Sequence, residues 1–104
     1  MNGRIKRVAF ADERVRESFL ELKEGRFEDR QLAGHIEKSI EALKQNPRGG
    51  IHIPNQQWPR IYSQKYGVSN LWKYDLSKLW RLIYTIKGNE LEVVSVILEW
   101  FDHK

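Results

Sequence analysis

Two periods of apolar residues run along this chain, and the change from one to the other falls near residue 60. In residues 4–11, RIKRVAFA, the apolar Ile5, Val8 and Phe10 are interrupted by Lys6 and Arg7, which predicts a short strand. Asp12 then has the character of a helix N-cap. Behind it Val15, Phe19 and Leu22 recur at helical spacing, and Gly25 stops that helix. Asp29 is the expected cap of a second helix, whose stripe is Leu32, Ile36, Ile40 and Leu43. Asn46-Pro47 ends it. Two helices joined by a few residues form an αα-hairpin. Residues 48–59, RGGIHIPNQQWP, are rich in Gly and Pro and predict a loop. From Arg60 on the pattern becomes extended. Residues 60–66, 70–75, 79–86 and 91–98 are dense in aromatic and β-branched side chains and predict strands. KGNE, 87–90, predicts a hairpin turn with Gly88-Asn89 at its tip. The expected architecture is α+β: an N-terminal strand, then an αα-hairpin packed on one face of a mainly antiparallel sheet of four to five strands, all in one domain over residues 1–104.

Alternation along the strands assigns faces. In residues 79–86, Trp80, Leu82, Tyr84 and Ile86 share one side, and Arg81, Ile83 and Thr85 the other. In residues 70–75, Trp72 and Tyr74 oppose Leu71, Lys73 and Asp75. A three-residue connection, Leu76-Ser77-Lys78, sets Lys73 beside Arg81 and gathers the aromatics under the helices. A two-residue connection would bury Lys73 among aromatics at a desolvation cost of several kcal/mol. The odd length is therefore expected, with an aromatic core face on one side and an Arg/Lys face open to water on the other. Tyr84 is read as core with a satisfied hydroxyl.

Charge sharpens this picture. The net charge is +4, and it is unevenly spread. Lys44, Arg48, Arg60, Lys65, Lys73, Lys78, Arg81 and Lys87 face a single acid, Asp75, so residues 44–87 carry +7, while the first 43 residues are balanced. A concentrated basic segment is the footprint of phosphate binding, and ordinary solubilising charge is the competing reading. Cysteine is absent, which excludes a disulfide framework and thiolate metal sites. The N-terminus has no long apolar segment of the signal-peptide kind, and LEVVSVILEWF is too short and too acidic to span a bilayer. A soluble cytoplasmic protein is expected, with no membrane contact.

Other polar residues suggest less. His35 has no second His or carboxylate at ligand spacing, so no metal is expected. His52 lies in a Gly-Gly loop lacking the Lys-Ser/Thr of a phosphate loop, which excludes nucleotide binding of that type. Ser63, Ser69, Ser77 and Ser95 have no nucleophile-elbow motif around them. Glu99 and Asp102, three apart at a strand end, read as caps of a C-terminal helix or turn.

LWRLIYTI, the Gly-Asn turn, the valine-rich EVVSVIL and then FDHK resemble the C-terminal half of the RelE/ParE toxin superfamily. The family pattern is an aromatic-Arg-aliphatic-aliphatic-Tyr strand, a turn, an aliphatic strand and a short His/Arg-containing tail, and the αα-hairpin agrees with it. The resemblance implies a small toxin neutralised by a cognate antitoxin protein. RelE-like members cut mRNA on the ribosome, without metal or cofactor. In them basic side chains steady the scissile phosphate, the RNA 2′-hydroxyl is the nucleophile, and an acid or base completes proton transfer. ParE-like members act on DNA gyrase instead. DNA contact is implied only indirectly, through an antitoxin complex. Carried onto this chain, Arg81 matches the phosphate-contacting strand arginine and His103 the His or Arg after the last strand. Lys73, Lys65, Arg60 and Lys78 are the candidate RNA contacts. The approach to the arginine strand is Leu76-Ser77-Lys78-Leu79 where the family has Arg-x-Gly-Asp. That departure keeps open an alternative, a toxin-fold protein that binds gyrase or only its antitoxin and does not cut.

Overall fold

The computed structural model describes residues 3–102, and it is built around five strands and three helices. Strand β1 (Ile5–Phe10) runs directly into helix α1 (Glu13–Lys23). The turn between them is fixed by Asp12, whose carboxylate accepts the Val15 N–H at 2.9 Å. Val15 and Phe19 are the buried side of α1. Helix α2 (Phe27–Gln45) begins two residues before Asp29. Asp29 still serves the helix start, because its Oδ2 accepts the Arg26 N–H at 3.2 Å. A Cβ on Gly25 would lie 2.4 Å from that same oxygen, so the link between the helices must be glycine for the cap to close. The expected stripe is the buried side of α2: Leu32, Ile36 and Leu43 are buried and Ile40 half-buried.

The segment after α2 departs from a plain loop. Ile51–His52 form a short strand β2, and a 3-10 turn follows at Asn55–Gln57. Residues 60–66 form a helix, α3 (Arg60–Tyr66), where a strand was expected. Its boundaries explain this. Pro59 stands at the N-cap with φ −60°, already in helical range and without the N–H that a first turn leaves unbonded. Gly67 closes the helix in the left-handed conformation at φ 58°. Tyr62 and Tyr66, four residues apart, then fall on one side of the helix.

Strands β3 (Trp72–Asp75), β4 (Trp80–Gly88) and β5 (Glu92–Asp102) complete one sheet in the order β1-β5-β4-β3-β2. The β1–β5 pair is parallel and the others are antiparallel. The architecture is thus the expected α+β one, with the helix pair on one face. The last strand is longer than expected, so Glu99 and Asp102 belong to β5 rather than to a C-terminal helix or turn. Gly88 belongs to β4, and the turn that follows it is organised by Asn89, whose Oδ1 accepts the Leu91 and Glu92 amides at 2.8 and 3.0 Å.

Register settles the faces. Trp72 pairs with Tyr84 and Tyr74 with Leu82, so the aromatics share the α1/α2 side as expected. Arg81, however, pairs with Asp75, and Lys73 pairs with Ile83. The connection between the paired Asp75 and Arg81 is five residues, 76–80, two more than the expected three. Its parity is the expected one, so the faces are kept, but Lys73 and Arg81 are diagonal neighbours rather than opposite ones.

The face expected to be open to water carries a second core. Tyr62 of α3, with Val68, packs there on Leu71, Ile83 and Leu98. Ile83 and Thr85 leave too little polar surface for that side to be solvated, and α3 covers them. Tyr84 is fully buried and its hydroxyl is satisfied: it donates to the Pro47 carbonyl at 2.7 Å and accepts the Gly50 N–H at 3.1 Å. A Cβ on Gly50 would meet that hydroxyl at 2.7 Å, which accounts for the second glycine of the Gly-Gly pair. Asn70 extends the β3–β4 ladder with its side chain. Its Nδ2 donates to the Ile86 carbonyl and its Oδ1 accepts the Ile86 N–H, both at 2.8 Å.

Candidate functional site

The α3 side of the sheet carries Arg81 and, apart from it, a cleft holding a tyrosine–glutamate pair. Arg81 Nη1 and Asp75 Oδ1 form an ion pair at 3.0 Å, with 19% of the arginine side chain exposed and 54% of the aspartate. The arginine is therefore held by its own strand pairing, and its planar fork carries further N–H donors. Phe101 faces Arg81 across the β4–β5 ladder. A bulge lies one step along. Ile83 pairs with Glu99 and Tyr84 with Ile97, leaving Leu98 as the extra residue of β5. The bulge sets both Leu98 and Glu99 toward α3. Leu98 packs in the second core, and Glu99 accepts a hydrogen bond from the Tyr62 hydroxyl.

Tyr62 and Glu99 stand in a cleft of about 450 Å³ between α1, α3 and the end of β5, bordered by Arg14, Lys65, Tyr66 and Trp100. Burial is the main cause that pushes the Tyr62 phenol well above its ordinary value, followed by the hydrogen bond to Glu99 and the charge of that carboxylate. Tyr62 therefore keeps its proton and stands as a fixed hydrogen-bond donor to the Glu99 carboxylate. Lys65 Nζ lies 5.2 Å from the centre of the Tyr66 ring, a cation–π contact at the cleft rim.

The sequence-predicted residues distribute as follows. Arg81 and Lys73 share the α3 side of the sheet, and Lys65 is on the helix above it. Lys65 borders the cleft, whereas Arg81, Lys73, Arg60 and Lys78 do not; Arg60 opens α3 and Lys78 lies on the β3–β4 connection, both exposed. His103 lies outside the described residues. Among the described residues, no three His, Cys, Asp or Glu side chains converge, and no helix is long and apolar enough to cross a membrane.

Sequence reasoning missed the Tyr62–Glu99 pair because residues 60–66 were assigned to a strand and Glu99 to a cap. Pro59, Gly67 and the four-residue spacing of Tyr62 and Tyr66 were the signals that could have found it. It also missed Asp75 as the partner of Arg81.

Comparison with known proteins adds the fold. Neither the known family models nor the curated protein sequences give a match to this chain. Among solved structures, the chain is similar to the YoeB/ParE toxin from Agrobacterium tumefaciens, with a TM-score of 0.63, over 94% of this chain and 99% of that one, at 13% identity. The fold is that of a YoeB/ParE toxin.

Proposed function

We propose that this chain is the toxin of a cytoplasmic type II toxin–antitoxin pair of the RelE/ParE superfamily, and that it acts as a metal-independent, ribosome-dependent mRNA endoribonuclease. The observation that carries this reading is Arg81: a guanidinium seated by its strand on the sheet face of a toxin fold, with Lys73 diagonal to it and Lys65 on the helix above. Such a fork suits bidentate contact with a phosphate, and it would stabilise the charge that grows on the phosphorus oxygens as the 2′-hydroxyl attacks. His103 is the proposed proton-transfer group. Lys73, Lys65, Arg60 and Lys78 would follow the RNA backbone. The partners proposed are a cognate antitoxin and translated mRNA on the ribosome, with DNA reached only through an antitoxin complex.

One observation favours a second reading. Asp75 already occupies part of the Arg81 fork, which suits a toxin-fold protein that binds gyrase or its antitoxin without cutting. Induced expression of the chain in bacteria, beside Arg81→Ala, separates the two when cleavage of translated messages is mapped by primer extension. Growth arrest with cuts phased to codons, reduced at least a hundredfold in Arg81→Ala, is expected. A folded, soluble chain that produces no cuts would sink the nuclease reading, and arrest without cuts would point to gyrase.

A further inference from the structure

A second pocket lies at the opposite end of β4 from Arg81, on ground that no step of the proposed cleavage uses. It measures about 360 Å³ and is bordered by Arg4 just before β1, Lys6 of β1, Arg48 after α2 and Lys87 near the end of β4. These four cations come from three separate segments of the chain. Among the described residues none of the four has a carboxylate within 4.0 Å, whereas neighbouring Arg7 is paired with Glu92 at 2.8 Å. Two of the four are tethered to backbone carbonyls: Lys6 Nζ donates to Gln45 O at 3.1 Å and Arg4 Nη1 to Asn89 O at 3.4 Å. The Lys6 contact is explained by the negative end of α2. Nothing in the fold explains why Arg48 and Lys87 join it there. Four like charges around one concavity repel one another, and an anionic ligand relieves that repulsion.

We propose that this pocket is a phosphate-binding exosite that seats the backbone of single-stranded RNA away from Arg81. Lys87 and Arg81 lie six residues apart on one strand, roughly 20 Å at the rise of a β-strand. Lys6 and Arg48 stand toward the α2 side of the sheet and Arg81 toward the α3 side, so the pocket would hold a stretch of RNA separate from any held at Arg81. The pocket size favours phosphate over an acidic protein segment, because a peptide would have to crowd several carboxylates into the same space to neutralise four cations. Two guanidiniums at the rim also suit the paired oxygens of a phosphodiester. The inference rests on the chain being an RNA-binding protein and is independent of whether it cuts.

The test is fluorescence anisotropy with a labelled twelve-nucleotide oligouridylate, 2′-O-methylated so that it cannot be cleaved, over a range of salt concentrations. Arg48→Gln with Lys87→Gln removes two pocket charges. Arg30→Gln with Lys38→Gln removes two exposed charges from α2 and serves as the charge-matched control. Arg48→Lys with Lys87→Arg keeps the charge. The pocket variant is expected to bind about tenfold more weakly at low salt, and its salt slope to be shallower by about 1.4, or 0.7 for each lost phosphate contact. The control and the charge-keeping variant are expected to bind as the unaltered chain does. Equal losses in the pocket variant and the control overturn the exosite and leave RNA binding standing. No RNA binding by the unaltered chain overturns both. Pocket-dependent binding of a polyglutamate peptide in place of RNA overturns the proposal in favour of a protein-docking site.

Discussion

Asn70 and Arg81 show how much a single side chain decides in this fold. Asn70 supplies, from one amide group, the donor and the acceptor that pair with Ile86, and its Oδ1 also accepts the Trp72 indole N–H at 3.1 Å. Asn70→Ala removes these partners together and leaves half-buried backbone groups of β4 unsatisfied. It should destabilise the protein by about 2–4 kcal/mol, read as a lower denaturation midpoint at unchanged m-value. Asn70→Asp should recover less than half of that loss, since a carboxylate has no N–H for the Ile86 carbonyl. If Asn70→Ala melts with the unaltered chain, the side chain is not part of the ladder. The side of the sheet that Arg81 occupies was legible at this scale, because strand alternation alone puts it opposite the aromatics. Its pairing with Asp75 was not, since that depends on two additional residues in the β3–β4 connection. Parity could be argued from the cost of burying Lys73, whereas turn length has no such penalty attached.

Among the elements, the two long helices were readable and the short one was not. The α2 stripe recurs from Leu32 to Leu43 within a helix of 19 residues, enough for helical period to exclude any strand. Helix α3 has 7 residues, and over so short a run its apolar positions fit either period. What makes it a helix is its ends, Pro59 and Gly67, together with the second core it must cover. The Gly67 conformation gives a direct check. At φ 58° a Cβ would meet no neighbouring atom, so Gly67→Ala tests conformation alone. It should cost about 1 kcal/mol and, by loosening the end of α3, expose Tyr62 to solvent. A melting temperature equal to or above that of the unaltered chain would show that this helix does not depend on its left-handed cap. The same misassignment hid the candidate cleft: with α3 drawn as a strand, Tyr62 could not be placed over Glu99.

For the whole molecule, two buried phenols predict how stability responds to alkali. Tyr62 and Tyr84 both titrate above their ordinary value, with burial the main cause in each. The Gly50 amide partly offsets the shift at Tyr84. In the unfolded chain both lose their protons near pH 10, while the folded chain retains them. The stabilisation is thus fully present below about pH 10 and is lost as pH rises from there toward the folded-state values. The melting temperature should be flat from about pH 7 to 9 and fall above about 10, and Tyr62→Phe should make that fall shallower. An identical alkaline slope in Tyr62→Phe would mean that the phenol is not buried in solution.

The sheet order has a consequence for the birth of the molecule. Strand β5 lies between β1 and β4, so the first strand to leave the ribosome is paired only with the last. Until residues 92–102 emerge, β1 has no strand to pair with, and Glu99, the acceptor of the cleft, has yet to be made. At synthesis rates of about 5–20 residues per second, the chain spends several seconds tethered and incomplete. The sheet therefore closes late, with its earliest strand waiting for a partner far downstream, and the Tyr62–Glu99 pair forms only after that closure has begun.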